Sequence, residues 1–206
     1  MRLSPCSRLT LTLVRALAAA IFGLPLLWAL LAALRPAGTP LAAPLLAVRP
    51  TLDAFGRLFA VLPVWRFTAN SLLVAAIAVP LTLLTASWAG FAMARRPRPA
   101  QRRWVVVSLM ALMVPGVALW PSRFLLYSRV GLIDTYGALL APALMGSSPF
   151  YVLMFYRAFG RIPSALYDAA RLDGAGVLAT WGRVALPIAR PTAAAVAVLA
   201  FVAYWG

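Results

Sequence analysis

The side chains able to do chemistry are few in this sequence, and two of them stand close together. Asp168 and Asp173 bracket Ala169-Ala170-Arg171-Leu172 within residues 162–187, which read IPSALYDAARLDGAGVLATWGRVALP. The other carboxylates are Asp53 and Asp134; there is no His, Lys or Glu, and Cys6 is the single cysteine. A Ser-His-Asp or Cys-His nucleophile needs a histidine base, and a structural zinc site needs several Cys or His ligands, so neither can be assembled. A phosphate loop of the form GxxxxGK[ST] needs Lys, so the chain is not its own conventional nucleotidase. One cysteine excludes an internal disulfide. No catalytic residue and no metal ligand is assigned. The chemistry left to Asp168 and Asp173 is pairing with charges.

The element carrying these carboxylates is predicted from local signals. Pro163 precedes Ser164 as N-cap, Asp168 lies near the positive end of a short helix, and Gly174 supplies a left-handed stop. Leu166, Ala169 and Ala170 are placed on one side, where small alanines let a partner approach the backbone. A second helical segment runs through Val177, Trp181 and Val184 to Leu186, and Pro187 marks an angled entry into the next apolar run. Two short helices about a glycine make a loop of 26 residues, longer than a plain connection between spans needs.

Composition sets the surroundings of that loop. The 206 residues are 64% hydrophobic and 11% charged, with a mean hydropathy of +0.90, far above the roughly 45–50% apolar share of soluble domains. This predicts an all-α, polytopic membrane helix bundle. The net charge of +15 raises the thought of nucleic acid, but every basic residue is Arg and the arginines sit at the ends of apolar runs. Membrane lipid, not nucleic acid, is the partner this pattern predicts.

Taken in order, Arg2, Arg8 and Arg15 precede or open a first span ending near Leu34; Arg35-Pro36 makes a poor cleavage site, which argues against a signal peptide. Residues 36–68 read as an outer-face loop with a short interfacial helix. Span two runs from Asn70 to about Met93 and holds Pro80. Arg95, Arg96, Arg98, Arg102 and Arg103 then crowd one short loop and fix it as cytoplasmic. Span three starts at Trp104 and is kinked or broken by Pro115 and Pro121, and span four runs from Tyr136 to Tyr156, interrupted at Gly146-Ser147-Ser148-Pro149. Thirteen arginines fall inside and six outside, with the N-terminus in the cytoplasm. From Pro191 a fifth span begins, and its 16 residues to Gly206 cover roughly 24 Å of a roughly 30 Å core.

Asp168-Ala169-Ala170, Gly174 and Val184-x-Leu186-Pro187, in that order and spacing, resemble the EAA signature of ABC importer permeases of the binding-protein-dependent type. Asp168 stands where that family usually has Glu. Phe159 with Ile162-Pro163 before the signature, Leu172-Asp173-Gly174-Ala175 within it, and Arg190-Pro191 after it resemble the carbohydrate permeases, such as the smaller membrane subunit of the maltose system. FTANSLLVA and Gly131-Leu132-Ile133-Asp134-Thr135 resemble further stretches of the same core, so the likeness extends from about residue 50 to the end.

The resemblance implies a type I ABC importer permease core of six spans, of which about five are present, so the chain reads as C-terminally truncated. It implies two domains, residues 1–68 with the first span and 69–206 with the core and its coupling loop at 162–187. It also implies a bacterial inner or plasma membrane, an ABC ATPase subunit that supplies ATP and Mg, a second permease subunit in a heterodimer, an extracytoplasmic solute-binding protein, and import of a sugar or oligosaccharide. Leu166, Asp168, Ala169, Ala170, Asp173, Gly174, Leu186 and Pro187 would form the ATPase-docking site. Trp120, Tyr127, Phe150, Tyr151 and Phe155 border the presumed substrate pathway, although aromatic residues at these depths serve more often as interfacial belt or packing. A permease for another small polar solute and a non-transporting assembly subunit remain open. A secondary transporter is disfavoured because no predicted span has a carboxylate near its centre.

Overall fold

The computed structural model describes residues 5–36, 38–40 and 49–205, so the expectations that fall on Arg2, on residues 41–48 of the proline-rich loop and on Gly206 lie outside the described residues. Among the described residues the regular structure is helical throughout. Three helices are long and apolar enough to cross a membrane, and two further pairs pass the same test as sharply bent spans. The chain divides into two compact units, Met1–Phe67 and Thr68–Gly206.

In the first unit α1 (Pro5–Ala33) exposes large apolar residues along its length, among them Leu17, Phe22 and Leu26. A helix apolar all round and not covered by protein is what a lipid-facing span looks like. Beyond it Arg35 is buried and its guanidinium donates to the Pro40 carbonyl at 3.0 Å, while the Thr51 N–H donates to Leu34 O at 2.7 Å. The predicted interfacial helix is α2 (Asp53–Val61).

The second unit is built around α3 (Val64–Ala94), which is continuous through Pro80. The helix begins before Asn70, so Asn70 and Ser71 lie inside it and do not cap it. Ala78, Thr82, Ala86 and Gly90 recur every fourth residue along its buried side, and small residues at that spacing let helix backbones approach closely. The helix they admit is α7 (Pro149–Gly160), whose buried face is Tyr151, Phe155 and Phe159. A Cβ on Gly90 would come within 2.7 Å of Phe155 Cβ and 2.8 Å of the Tyr156 backbone N. Only a glycine fits there.

The remaining spans are bent or interrupted, each for a visible reason. The third begins earlier than Trp104, as α4 (Arg98–Met113), and turns by 85° at Val114-Pro115 into a 3₁₀ turn (Gly116–Leu119) and α5 (Trp120–Arg129). The fourth comprises α6 (Tyr136–Leu144) and α7, and it extends past Tyr156 to Gly160. At its interruption Gly146 and Ser147 both take positive φ, 77° and 58°. The carbonyl of Ala143, which accepts from the Gly146 N–H at 3.1 Å, also accepts from the Thr85 hydroxyl at 2.7 Å. Ser147 shares hydrogen bonds with Thr82 and with Tyr204, the latter at 2.8 Å. Broken backbone at membrane depth is tolerated when neighbouring helices satisfy it in this way.

The last two elements are α9 (Val177–Ile188), with a π-helical stretch over Thr180–Ala185, and α10 (Arg190–Trp205), meeting at an 83° bend. The helix passes straight through Pro187, so the angle falls at Ala189 and not at the proline. Pro187 lies one residue from the end of α9, shortly after its π-helical stretch.

Candidate functional site

The loop of residues 162–187 is a helix, a glycine stop and a second helix, fixed to the end of α3. Its first helix, α8 (Ser164–Leu172), has Pro163 at the N-cap and no side-chain cap, so Ser164 is its first helical residue and not the cap. Asp168 is likewise beyond the first turn, where the positive helix end no longer acts on it. Gly174 is the stop: its φ is +73°, its N–H donates to Arg171 O at 3.0 Å, and the Ala175 N–H donates to Ala170 O at 2.8 Å. That pair of bonds is a Schellman closure, which needs a left-handed residue. The same pairs close α5 at Gly131 and α6 at Gly146.

The faces of α8 divide differently from the spacing argument. Tyr167 and Ala170 are buried, while Leu166, Asp168, Ala169 and Asp173 are exposed. Ala170 therefore packs with Tyr167 into the chain's own core, while Leu166 and Ala169 stay exposed. Asp168 lies 4.0 Å from Arg171, both largely exposed, a pair worth little by itself. Leu172, at 90% exposure, and Val177 and Leu178 beside it also project outward. The loop thus exposes several large apolar side chains beside two carboxylates. Leu186 and Pro187 are half-buried on α9.

What holds the loop is an aromatic cluster that the spacing did not reveal. Tyr167 is 3% exposed and its hydroxyl donates to Phe159 O at 3.2 Å. The Arg95 guanidinium lies over its ring at 4.2 Å, and the Phe91 ring is 6.2 Å away. Burial pushes the Tyr167 phenol above its ordinary 10.0, with the Arg95 charge pulling the other way. Trp181 of α9 meets Trp88 of α3 edge-on at 5.2 Å. Gln101, in the arginine-rich turn, donates to the Ala94 and Arg96 carbonyls at 3.1 and 2.7 Å and accepts from the Tyr156 hydroxyl at 3.0 Å. That one amide caps α3 and ties it to α7.

At the other end of α3 a cleft of about 500 Å³ opens between Asn70, Ser71 and Val74 and the residues of α5, α6 and α10. Trp120, Arg123 and Tyr127 come from α5, Tyr136 and Leu139 from α6, and Tyr204 from α10. Tyr136 donates to Asn70 Oδ1 at 2.9 Å, and Tyr204 continues into the Ser147–Thr82 hydrogen bonds. Aromatic faces with hydrogen-bonding edges in a cavity of this size suit a small polar ligand. Of the five aromatic residues singled out in the sequence, Trp120 and Tyr127 line this cleft. Phe150 and Tyr151 lie on α7 outside the cleft lining, and Phe155 is fully buried and stacked on Phe159 at 5.7 Å, a packing residue.

The comparisons agree with this architecture. The pattern of a family described as binding-protein-dependent transport system inner membrane component matches residues 86–206. A protein named as an ABC transporter permease of Streptomyces antibioticus is 36% identical over 159 residues, covering 76% of this chain and 68% of the relative. The diacetylchitobiose uptake system permease of Streptomyces coelicolor is 28% identical over 182 residues, covering 88% and 60%. The chain spans between 49% and 68% of the length of the first three curated relatives it matches. A crystal structure of a bacterial ABC transporter involved in import of the acidic polysaccharide alginate has the same fold, with a TM-score of 0.72 at 22% identity over 100% of this chain and 74% of that one. With more than half of its residues matched, the chain belongs to the binding-protein-dependent transport system inner membrane components.

Proposed function

We propose that the chain is the membrane-spanning permease subunit of an ATP-driven importer of a sugar or oligosaccharide in a bacterial inner membrane. Its N-terminus and the 162–187 loop face the cytoplasm, where an ABC ATPase subunit docks on α8. A second permease completes the pathway as a heterodimer, and an extracytoplasmic solute-binding protein delivers the ligand. The observation carrying this reading is the exposure of the apolar Leu166, Leu172, Val177 and Leu178 together with Asp168 and Asp173, on a loop whose inner face is anchored to α3. The relatives' names, which include lactose and maltodextrin transport, support the solute class.

The mechanism follows from two-state coupling. ATP, with Mg, closes the ATPase dimer in the partner subunits. Because α8 is anchored on its inner face and offers its outer face, its displacement is passed to the helices that hold it. The two arrangements of the spans then differ in their affinity for ATPase and solute, which is the whole of the coupling. Trp120 and Tyr127 would stack on sugar ring faces, with Asn70, Tyr136 and Tyr204 offering hydrogen-bonding edges.

The test is co-purification of the chain with its candidate ATPase and partner permease, comparing wild type with a variant lacking residues 166–176. Loss of the ATPase only from the deletion supports docking on α8. An ATPase retained equally by both removes the docking role from this loop.

A further inference from the structure

The loop and the cleft occupy the two ends of one helix. Phe91 and Arg95, at one end of α3, hold α8, and Asn70, Ser71 and Val74, at the other, line the cleft. The helix between is unbroken and sets these ends roughly 37 Å apart along its axis. Four observations put Tyr167 at the near end: its burial, its hydroxyl on Phe159 O, its ring tilted against Phe91 at 6.2 Å, and the Arg95 guanidinium over its face. Arg95 follows the last residue of α3, where a cation also favours the negative end of the helix. Tyr167 immediately precedes Asp168 in the docking helix, so the buried residue that anchors α8 and an exposed residue offered to a partner are neighbours in sequence.

We propose that Tyr167 and Arg95 form the latch through which α8 moves α3, making them positioning residues that couple the docking loop to the distant cleft. This rests on the reading of α8 as the ATPase-docking helix. The latch is a cation–π contact at a half-wet site, strong enough to carry motion and weak enough to respond to single substitutions. Phe91 and Phe159, packed edge to face at 5.7 Å, keep the ring from sliding when α8 is pushed. α3 then acts as the rod, and the hydrogen bond from Tyr136 to Asn70 is the first cleft contact that its movement strains.

The experiment uses Tyr167→Phe, Tyr167→Leu, Arg95→Gln, the double variant Tyr167→Leu/Arg95→Gln, and Arg98→Gln as a charge-matched control. Each is assembled with the candidate ATPase and second permease, and the solute imported per ATP hydrolysed is measured together with ATPase retention. The chain alone is also exposed to trypsin and cleavage after Arg171 is timed. Tyr167→Phe keeps the ring and is expected to behave as wild type. Tyr167→Leu and Arg95→Gln should each lower the transport-to-hydrolysis ratio and speed cleavage by about two- to thirty-fold, the span of a cation–π contact, while still retaining the ATPase. The double variant should be no worse than the worse single one. Arg95 is exposed, so its substitution tests the latch even if Tyr167→Leu does not fold. Wild-type ratio and cleavage in Arg95→Gln, an equal effect from Arg98→Gln, or additive losses in the double variant overturn the proposal. A wild-type chain that holds no ATPase refutes the docking reading instead, and the trypsin comparison then decides whether the latch exists.

Discussion

Gly90 gives the sharpest test of how the second unit is packed. Replacing it with Ala adds one methyl group where the ideal Cβ lies 2.7 Å from Phe155 Cβ, 2.8 Å from Tyr156 N and 2.9 Å from Val152 O. Two of those three atoms are backbone, so a rotamer change cannot relieve the contact and α7 must move away from α3. Overpacking of that kind costs about 1–3 kcal/mol. Against it stands the helix-propensity gain of Gly→Ala, about 1 kcal/mol. Gly23→Ala is the matching control, since Gly23 is also inside a helix and its added Cβ meets nothing within 4 Å. The difference between the two variants therefore isolates the steric cost. Thermal unfolding of the purified chain in detergent should place Gly90→Ala below Gly23→Ala by roughly 2–12 °C, at about 2–4 °C per kcal/mol for a chain of this size. Equal melting temperatures would mean that α3 and α7 are not in close backbone contact, and the account of the small-residue stripe would fall with it.

Three other outcomes are expected. Ser147→Ala removes the shared partner of Thr82 and Tyr204 and should destabilise by about 1–3 kcal/mol, whereas Tyr204→Phe, which leaves the Thr82–Ser147 bond intact, should cost less in the same melt. Leu172→Asp, at a fully outward position, should stay within about 0.5 kcal/mol of wild type in stability yet reduce ATPase retention on an affinity column more than tenfold; undiminished retention would take Leu172 out of the docking surface. Phe155→Ala should cost about 3–5 kcal/mol as a core truncation, while Trp120→Ala should leave stability nearly unchanged and weaken solute uptake, so similar melts for the two would erase the distinction between packing and cleft.

The helical bundle, its breaks and the position of the loop were legible because each is written in a strong local signal. Apolar runs long enough for a membrane, arginines at their ends, and prolines or glycines inside them all act over a few residues. The break at Pro115 and the interruption at Gly146 to Pro149 follow from those signals, as does the left-handed stop at Gly174. One boundary that moved is the start of α3, which lies at Val64, directly after Pro63, whose carbonyl accepts from the Arg66 and Phe67 N–H groups at 2.9 and 3.2 Å, so Asn70 lies inside the helix. Pro187 lies near the end of α9 and the helix runs through it, so the bend falls at Ala189.

The inner face of α8 was not legible, for a reason specific to short helices. On nine residues Ala170 can share a stripe with Leu166 or with Tyr167, and spacing alone favours whichever pair looks more apolar. The choice is made by what stands opposite, namely Phe91, Phe159 and Arg95, which lie at sequence distances that no local period reports. Tyr167 is buried because its ring fills the corner between those side chains and its hydroxyl has a carbonyl to bond, and its burial turns Leu166, Asp168, Ala169 and Leu172 outward. The outward-facing residues are thus a consequence of the inward anchor. A substitution that frees Tyr167 loosens the loop with every docking residue unchanged, so it should lower the transport-to-hydrolysis ratio while ATPase retention persists.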